Sequence, residues 1–103
     1  DPPSILTALM GADDAMRDAV NAGEHRHLPA DARGQMINTM MSGACLDADE
    51  QCICEVLEWS ARQGDISAVL QSVDGGADAI TSALHGAEDT RVKALFDRCG
   101  VRY

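Results

Sequence analysis

Aromatic side chains are scarce in this sequence. Trp59, Phe96 and Tyr103 are the three among 103 residues, so burial must come from aliphatic and thioether groups. Of the 46% of residues that count as hydrophobic, sixteen are alanine, which hides little area, and the Ile, Leu, Val and Met side chains that remain suffice for one small core. A chain of about this length hides roughly 60–70% of the surface it exposes when unfolded, which excludes a second independent core. A single helical domain over residues 1–103 is the expectation. A long apolar run is missing too. The longest uncharged stretches, around Met36 to Leu46, contain Asn, Thr and Ser. They fall well short of the ~20 apolar residues that a bilayer span needs, so membrane insertion is excluded.

Basic clusters are likewise absent. Seventeen Asp and Glu stand against eight Lys and Arg, a net charge of −9, with the acids scattered through the whole chain. Affinity for phosphate backbones comes largely from counterion release by clustered Lys and Arg, so nucleic acid and anionic lipid are excluded as partners. Solubility and a protein partner with a basic surface both agree with the sign of the field.

No alternating apolar run bounded by turn residues is found, so no strand is expected. The spacing predicts an all-α bundle of five or six short helices. Ser4 opens helix one, which gathers Ile5, Leu6, Leu9, Met16 and Val20 on one face and ends near Asn21-Ala22-Gly23. Glu24 to Leu28 reads as a loop, and Pro29 with Asp31 opens helix two, whose stripe is Met36, Ile37, Met40, Met41 and Ala44, with Cys45 at its edge. Asp47-Ala48-Asp49 supplies N-cap acceptors for helix three, from about Glu50 to Gln63, stopped by Gly64 and burying Ile53, Val56, Leu57 and Ser60. Asp65 caps a short fourth helix carrying Ile66, Val69, Leu70 and Val73, broken by Asp74-Gly75-Gly76. The stripes Ile80, Ala83, Leu84 and Val92, Leu95, Phe96, Cys99 would be rotated by roughly 115° on one straight helix, which places a break near His85-Gly86. Gly100 ends the last helix.

The most specific signal is sulfur. Four cysteines, Cys45, Cys52, Cys54 and Cys99, in a short acidic chain point to two disulfides and an oxidising compartment. On a helix, positions i and i+2 lie about 200° apart, so Cys52 and Cys54 cannot bond to each other and need different partners. They sit at the two margins of the face centred on Ile53, which suggests staples to two neighbours, the end of helix two through Cys45 and the final helix through Cys99. Which takes which partner stays open. A four-thiolate metal site fits poorly, because structural zinc ligands usually come in pairs two to four residues apart that face one ion, and Cys52 with Cys54 cannot converge on one ion while helical. A redox site on Cys52-Ile53-Cys54 fits poorly as well, since Glu50 and Glu55 flank it and would raise the thiol pKa.

The string Met40-Met41-Ser42-Gly43-Ala44-Cys45, followed by Cys52-Ile53-Cys54-Glu55-Val56-Leu57-Glu58, resembles a pattern of small exported bacterial helical proteins and lipoproteins. In these a helix ends in Cys, a short acidic or polar turn follows, C-x-C opens the next helix, and a late Cys lies in the last one. The similarity covers roughly residues 36 to 99. It implies export and disulfides and lends no catalytic residue. No basic residue followed by an apolar segment opens the chain, and Asp1-Pro2-Pro3 reads as the start of a mature product or of a trimmed chain. Periplasmic or secreted placement is the expectation.

Catalytic constellations are lacking. His25 and His27 bracket Arg26 and could share a metal with Glu24 or Asp31, but solvated loop histidines account for them better. His85 falls at the expected break. No G-x-S-x-G surrounds Ser42-Gly43. The pairs Asp13-Asp14 and Glu88-Asp89 suit helix surfaces or caps, and Asp47-Ala48-Asp49-Glu50 lacks the glycine of a calcium loop. No enzyme, cofactor or metal is expected. Met36, Met40 and Met41, with Met10 and Met16, could line an adaptable groove for a partner helix or an apolar ligand, although core filling explains them more simply. The function expected is non-catalytic recognition of another protein, as an inhibitor or periplasmic immunity factor; the alternative is a carrier of a small apolar ligand between Met-lined helices.

Overall fold

The central helix is flanked on both sides by helices that run in its own direction. The computed structural model describes residues 13–42 and 45–103, and every regular element among them is helical. In chain order these are α1 (Asp13–Asn21), a 3-10 turn (Glu24–His27), α2 (Ala30–Met41), α3 (Asp47–Gln63), α4 (Ile66–Gln71), α5 (Gly76–Ala83) and α6 (Gly86–Cys99). Six α-helices among the described residues agree with the expected all-α bundle. The Ser4 start of helix one, its Ile5, Leu6, Leu9 and Met10, and Ala44 of the helix-two stripe lie outside the described residues.

α3 forms where the stripe i, i+3, i+4, i+7 requires it, and Ile53, Val56, Leu57 and Ser60 are all completely buried. It begins earlier than expected. Asp47, Ala48 and Asp49 belong to its first turn rather than preceding it. Asp49 Oδ2 reaches back to accept the Leu46 N–H at 3.1 Å, which satisfies a donor that the helix itself cannot. Gly64 stops α3 with φ 79°, a left-handed conformation that favours glycine.

Pairs along α3 give its neighbours' direction. Arg17 meets Asp49 and Asn21 meets Cys52, so α1 is parallel to α3 on one side. On the other, His85 meets Glu50, Glu88 meets Cys54 and Arg91 meets Glu58, so α6 is parallel too. α2 packs across, with Arg33 reaching Ser60. It also closes on α4 at Gly34, where an added Cβ would lie 2.5 Å from Ser72 Cβ and 2.6 Å from the Val69 carbonyl oxygen. Asn38 fastens the same contact: its amide donates to the Ser72 carbonyl at 2.9 Å and its Oδ1 accepts the Asp74 N–H at 2.8 Å.

The core between these elements is aliphatic and thioether, as the lack of aromatics requires. Met16, Met36, Met40, Ile37, Ile53, Leu57 and Ile80 are all at most 1% exposed, with Phe96 the one fully buried carbocyclic ring. The break between α5 and α6 falls at Leu84-His85, both extended. There the His85 N–H donates to Glu50 Oε1 at 2.6 Å, so a buried carboxylate from α3 caps the N-terminus of α6.

The cysteines require a correction. No two of Cys45, Cys52, Cys54 and Cys99 lie at disulfide-bonding distance, and the expected staples are not formed. The geometric half of the expectation holds, because Cys52 and Cys54 do face two different neighbours. Those neighbours are α1, where Cys52 Sγ lies 3.9 Å from Asn21 Oδ1, and the first turn of α6, where Cys54 Sγ lies 3.7 Å from the Glu88 carbonyl oxygen. Because α6 runs parallel to α3, Cys99 is carried away from Cys54: the eleven residues from Glu88 amount to roughly 16 Å of helix axis. A disulfide needs Cα atoms within about 7 Å.

Candidate functional site

The outward face of α3 is the floor of a cleft. Ala48, Gln51, Cys52 and Glu55 line the floor, Arg17, Asp18 and Asn21 of α1 form one wall, and Glu88 and Arg91 of α6 form the other, around a cavity of about 380 Å³. α1 and α6 sit on opposite sides of α3, and this strip of it lies between them.

Both arginines of the cleft are tied down at its edges. Arg17 Nη1 lies 2.7 Å from Oδ1 of Asp49, a carboxylate that is itself completely buried. Arg91 Nε donates to Glu58 Oε2 at 2.7 Å, and this hydrogen bond holds the Glu58 carboxyl below its usual range while raising the guanidinium. The carboxylates of Asp18, Glu55 and Glu88 belong to the same lining, Glu55 facing Arg91 across 4.0 Å, and Asp18 and Glu55 are exposed. The potential of the cleft is therefore negative toward solvent.

Its thiol is not a nucleophile. Cys52 is 5% exposed, and burial, followed by the Asp49 charge, pushes its pKa up. Burial drives Cys54 to about 11. These buried thiols behave as small apolar side chains. Cys99 is exposed at the far end of α6 beside Arg62 and Arg98, and Cys45 is half-buried before α3. The structure thus disperses the four expected sulfur residues along the molecule. Among the described residues, no three His, Cys, Asp or Glu side chains are arranged to hold a metal ion.

The methionines that could have lined a groove lie in the core. Met36 and Met40 are 1% and 0% exposed, Met41 packs partly buried against the same cluster, and Met16 joins them. Helix two therefore spends its stripe on the interior.

Besides Asp49, three buried polar groups escaped the sequence reading. Arg33, 5% exposed, donates to Ser60 Oγ at 2.7 Å, to Asp65 Oδ1 at 2.9 Å and to the Leu28 carbonyl at 3.1 Å. Its hydrogen bonds hold the Asp65 carboxyl below its usual range. Asp65 thus serves Arg33 and makes no side-chain cap for α4. Glu50 is the second. The third is His25, placed by sequence in a solvated loop and found 1% exposed in the 3-10 turn. Its ring stands edge-on to Trp59, centroids 6.5 Å apart. His27 and His85 are exposed, so the three histidines do not converge. The one available signal for His25 was a Trp on the α3 face next to which a second planar ring would pack.

No family model matches this chain, and neither a curated protein nor a solved structure matches it.

Proposed function

We propose that the protein is a non-catalytic recognition module that binds a protein presenting a basic surface, in the manner of an inhibitor or an immunity factor. The observation that carries this reading is the cleft above α3, where both arginines are occupied by Asp49 and Glu58 while Asp18, Glu55 and Glu88 line the opening. A net charge of −9 extends that field over the rest of the surface, which favours encounter with cations and repels phosphate-bearing partners. A carrier of an apolar ligand would need an open Met-lined groove, and Met36 and Met40 are buried. No sulfur–sulfur bond joins the four cysteines, so this function carries no requirement for an oxidising compartment.

The test is capture by the immobilised chain from lysate of its source at low and raised ionic strength, alongside an Asp18→Asn/Glu55→Gln/Glu88→Gln variant. A partner of basic sequence that is lost with salt and lost by the variant supports the proposal. A partner retained equally under both changes overturns it.

A further inference from the structure

The single tryptophan of the chain, half-buried on α3, is met by one short turn, and that turn carries an ionisable group with no hydrogen-bond partner. His25 is 1% exposed, and neither Nδ1 nor Nε2 has a partner. A buried polar group in that condition costs free energy, and a charged one costs far more, so the site tolerates the neutral imidazole alone. The ring lies against Trp59 at an interplanar angle of 88°. Two guanidinium groups lie over the same indole, Arg26 at 4.9 Å and Arg62 at 5.9 Å from the ring centroid.

The charged and titratable groups around the imidazole disfavour a proton there. Burial is the largest influence, and it lowers the pKa from the ordinary 6.5. Arg26 and His27, on the same turn, and Arg33, on α2, act in the same direction, whereas Glu55, on α3, opposes them. Glu55 is exposed and faces Arg91 across 4.0 Å, which weakens its hold.

The turn is fastened mainly at its far end. Its backbone bonds are Gly23 N–H to the Val20 carbonyl at 2.9 Å, Arg26 N–H to Gly23 at 3.1 Å and Leu28 N–H to His25 at 3.3 Å. Leu28 is its fixed end, because its carbonyl accepts from Arg33 Nε at 3.1 Å and its side chain packs against the core. Gly23, at φ 78°, is a ready pivot at its start. The helices on either side are anchored independently, α1 by the Arg17–Asp49 pair and α2 by Arg33 and Asn38.

We propose that Gly23–His27 is an acid-released latch: protonation of His25 detaches the 3-10 turn from α3 and further exposes Trp59, while Leu28 and the helical core stay in place. In the released state the imidazolium is hydrated and Arg26 leaves the indole. Each pH unit below the ordinary histidine range then favours release by up to about tenfold, the limit for uptake of one proton. Such a latch would expose an aromatic surface beside the end of α3 in acidic surroundings, whatever partner the cleft takes.

The full chain is titrated from pH 8 to pH 5 at constant ionic strength, following the Trp59 emission maximum, far-ultraviolet circular dichroism and exchange of the Leu28 amide. The expected result is a red shift of emission below pH 6.5 with helical ellipticity unchanged. Leu28 exchange, corrected for its intrinsic pH dependence, rises over the same range. His25→Phe keeps a buried ring without a titrating nitrogen and should abolish the shift, whereas His27→Gln should retain it. An emission maximum that does not move in the unaltered chain overturns the latch, as does a shift that survives in His25→Phe. Should His25→Phe fail to fold, the His25 ring resonances of the unaltered chain decide the matter. Titration together with the Trp59 indole signal supports release, and titration with the indole unmoved overturns it.

Discussion

Arg33 of α2 and Asp65 at the junction of α3 and α4 are joined, the guanidinium of a buried arginine meeting a carboxylate that is one-third exposed. The arrangement is asymmetric. Removal of Asp65 leaves a charge inside the protein, whereas removal of Arg33 leaves a carboxylate that water can reach. Asp65→Ala should therefore cost about 3 kcal/mol, the scale for an uncompensated buried charge. Arg33→Met should cost less, and the double variant should be less destabilised than the two single losses added together. Urea-unfolding midpoints measure all three, and additive losses would show that the pair is not coupled.

Gly34 should resist even the smallest enlargement. Alanine is worth up to ~1 kcal/mol over glycine within a helix. Here its methyl would meet the Val69 carbonyl oxygen at 2.6 Å, a backbone atom that cannot swing away. Gly34→Ala is expected to destabilise by about 2 kcal/mol, within the usual range for overpacking. A raised melting temperature would mean that α2 and α4 separate freely.

Thiol chemistry separates the cysteines. At pH 8 in the folded protein an aromatic disulfide reagent should react rapidly with exposed Cys99 and leave Cys52 and Cys54 untouched, since burial raises both thiols, Cys54 to about 11. Unfolding in guanidinium without reductant should yield four reactive SH groups, in keeping with the lack of any sulfur pair at bonding distance. A yield of two or none would restore the staples.

Stability should fall in two stages on acidification. His25 has a folded pKa below its unfolded value of 6.5, so the folded state resists its proton and stability is complete above pH 6.5 and declines below it. Glu58 and Asp65 are held below their ordinary 4.5 and 3.8 by Arg91 and Arg33. Their contribution is present above those values and is lost as pH falls beneath them. Urea midpoints across pH 8 to pH 3 should show both declines, and His25→Phe should remove the upper one alone.

Much of the helical layout was legible because it rests on apolar spacing and punctuation. The α3 face, the stop at Gly64 and the break at Leu84-His85 all follow from residues close in sequence. What was illegible depends on distant partners. Arg33, Asp49, Glu50 and His25 look like surface residues by type, and three of them are buried only because Ser60 and Asp65, Arg17, or the His85 backbone arrive from about 30 residues away. The cysteines failed for the same reason. Helical angles correctly sent Cys52 and Cys54 to opposite sides, but the direction in which α6 runs decides whether Cys99 arrives beside Cys54, and no local pattern encodes that direction. The cleft was equally invisible, being a gap between α1 and α6 rather than a motif.

The same parallel layout bears on how the chain must fold. The links from α3 to α1 and to α6 close over separations of 32 and 35 residues, as in Arg17–Asp49 and Glu50–His85. Neither flanking helix is the chain neighbour of α3, since α2 intervenes on one side and α4 and α5 on the other, so local zipping cannot assemble the trio. The rate-limiting encounter should therefore be a meeting of remote segments, slower than in an up-and-down bundle of equal size, with the centre of the chain as its template.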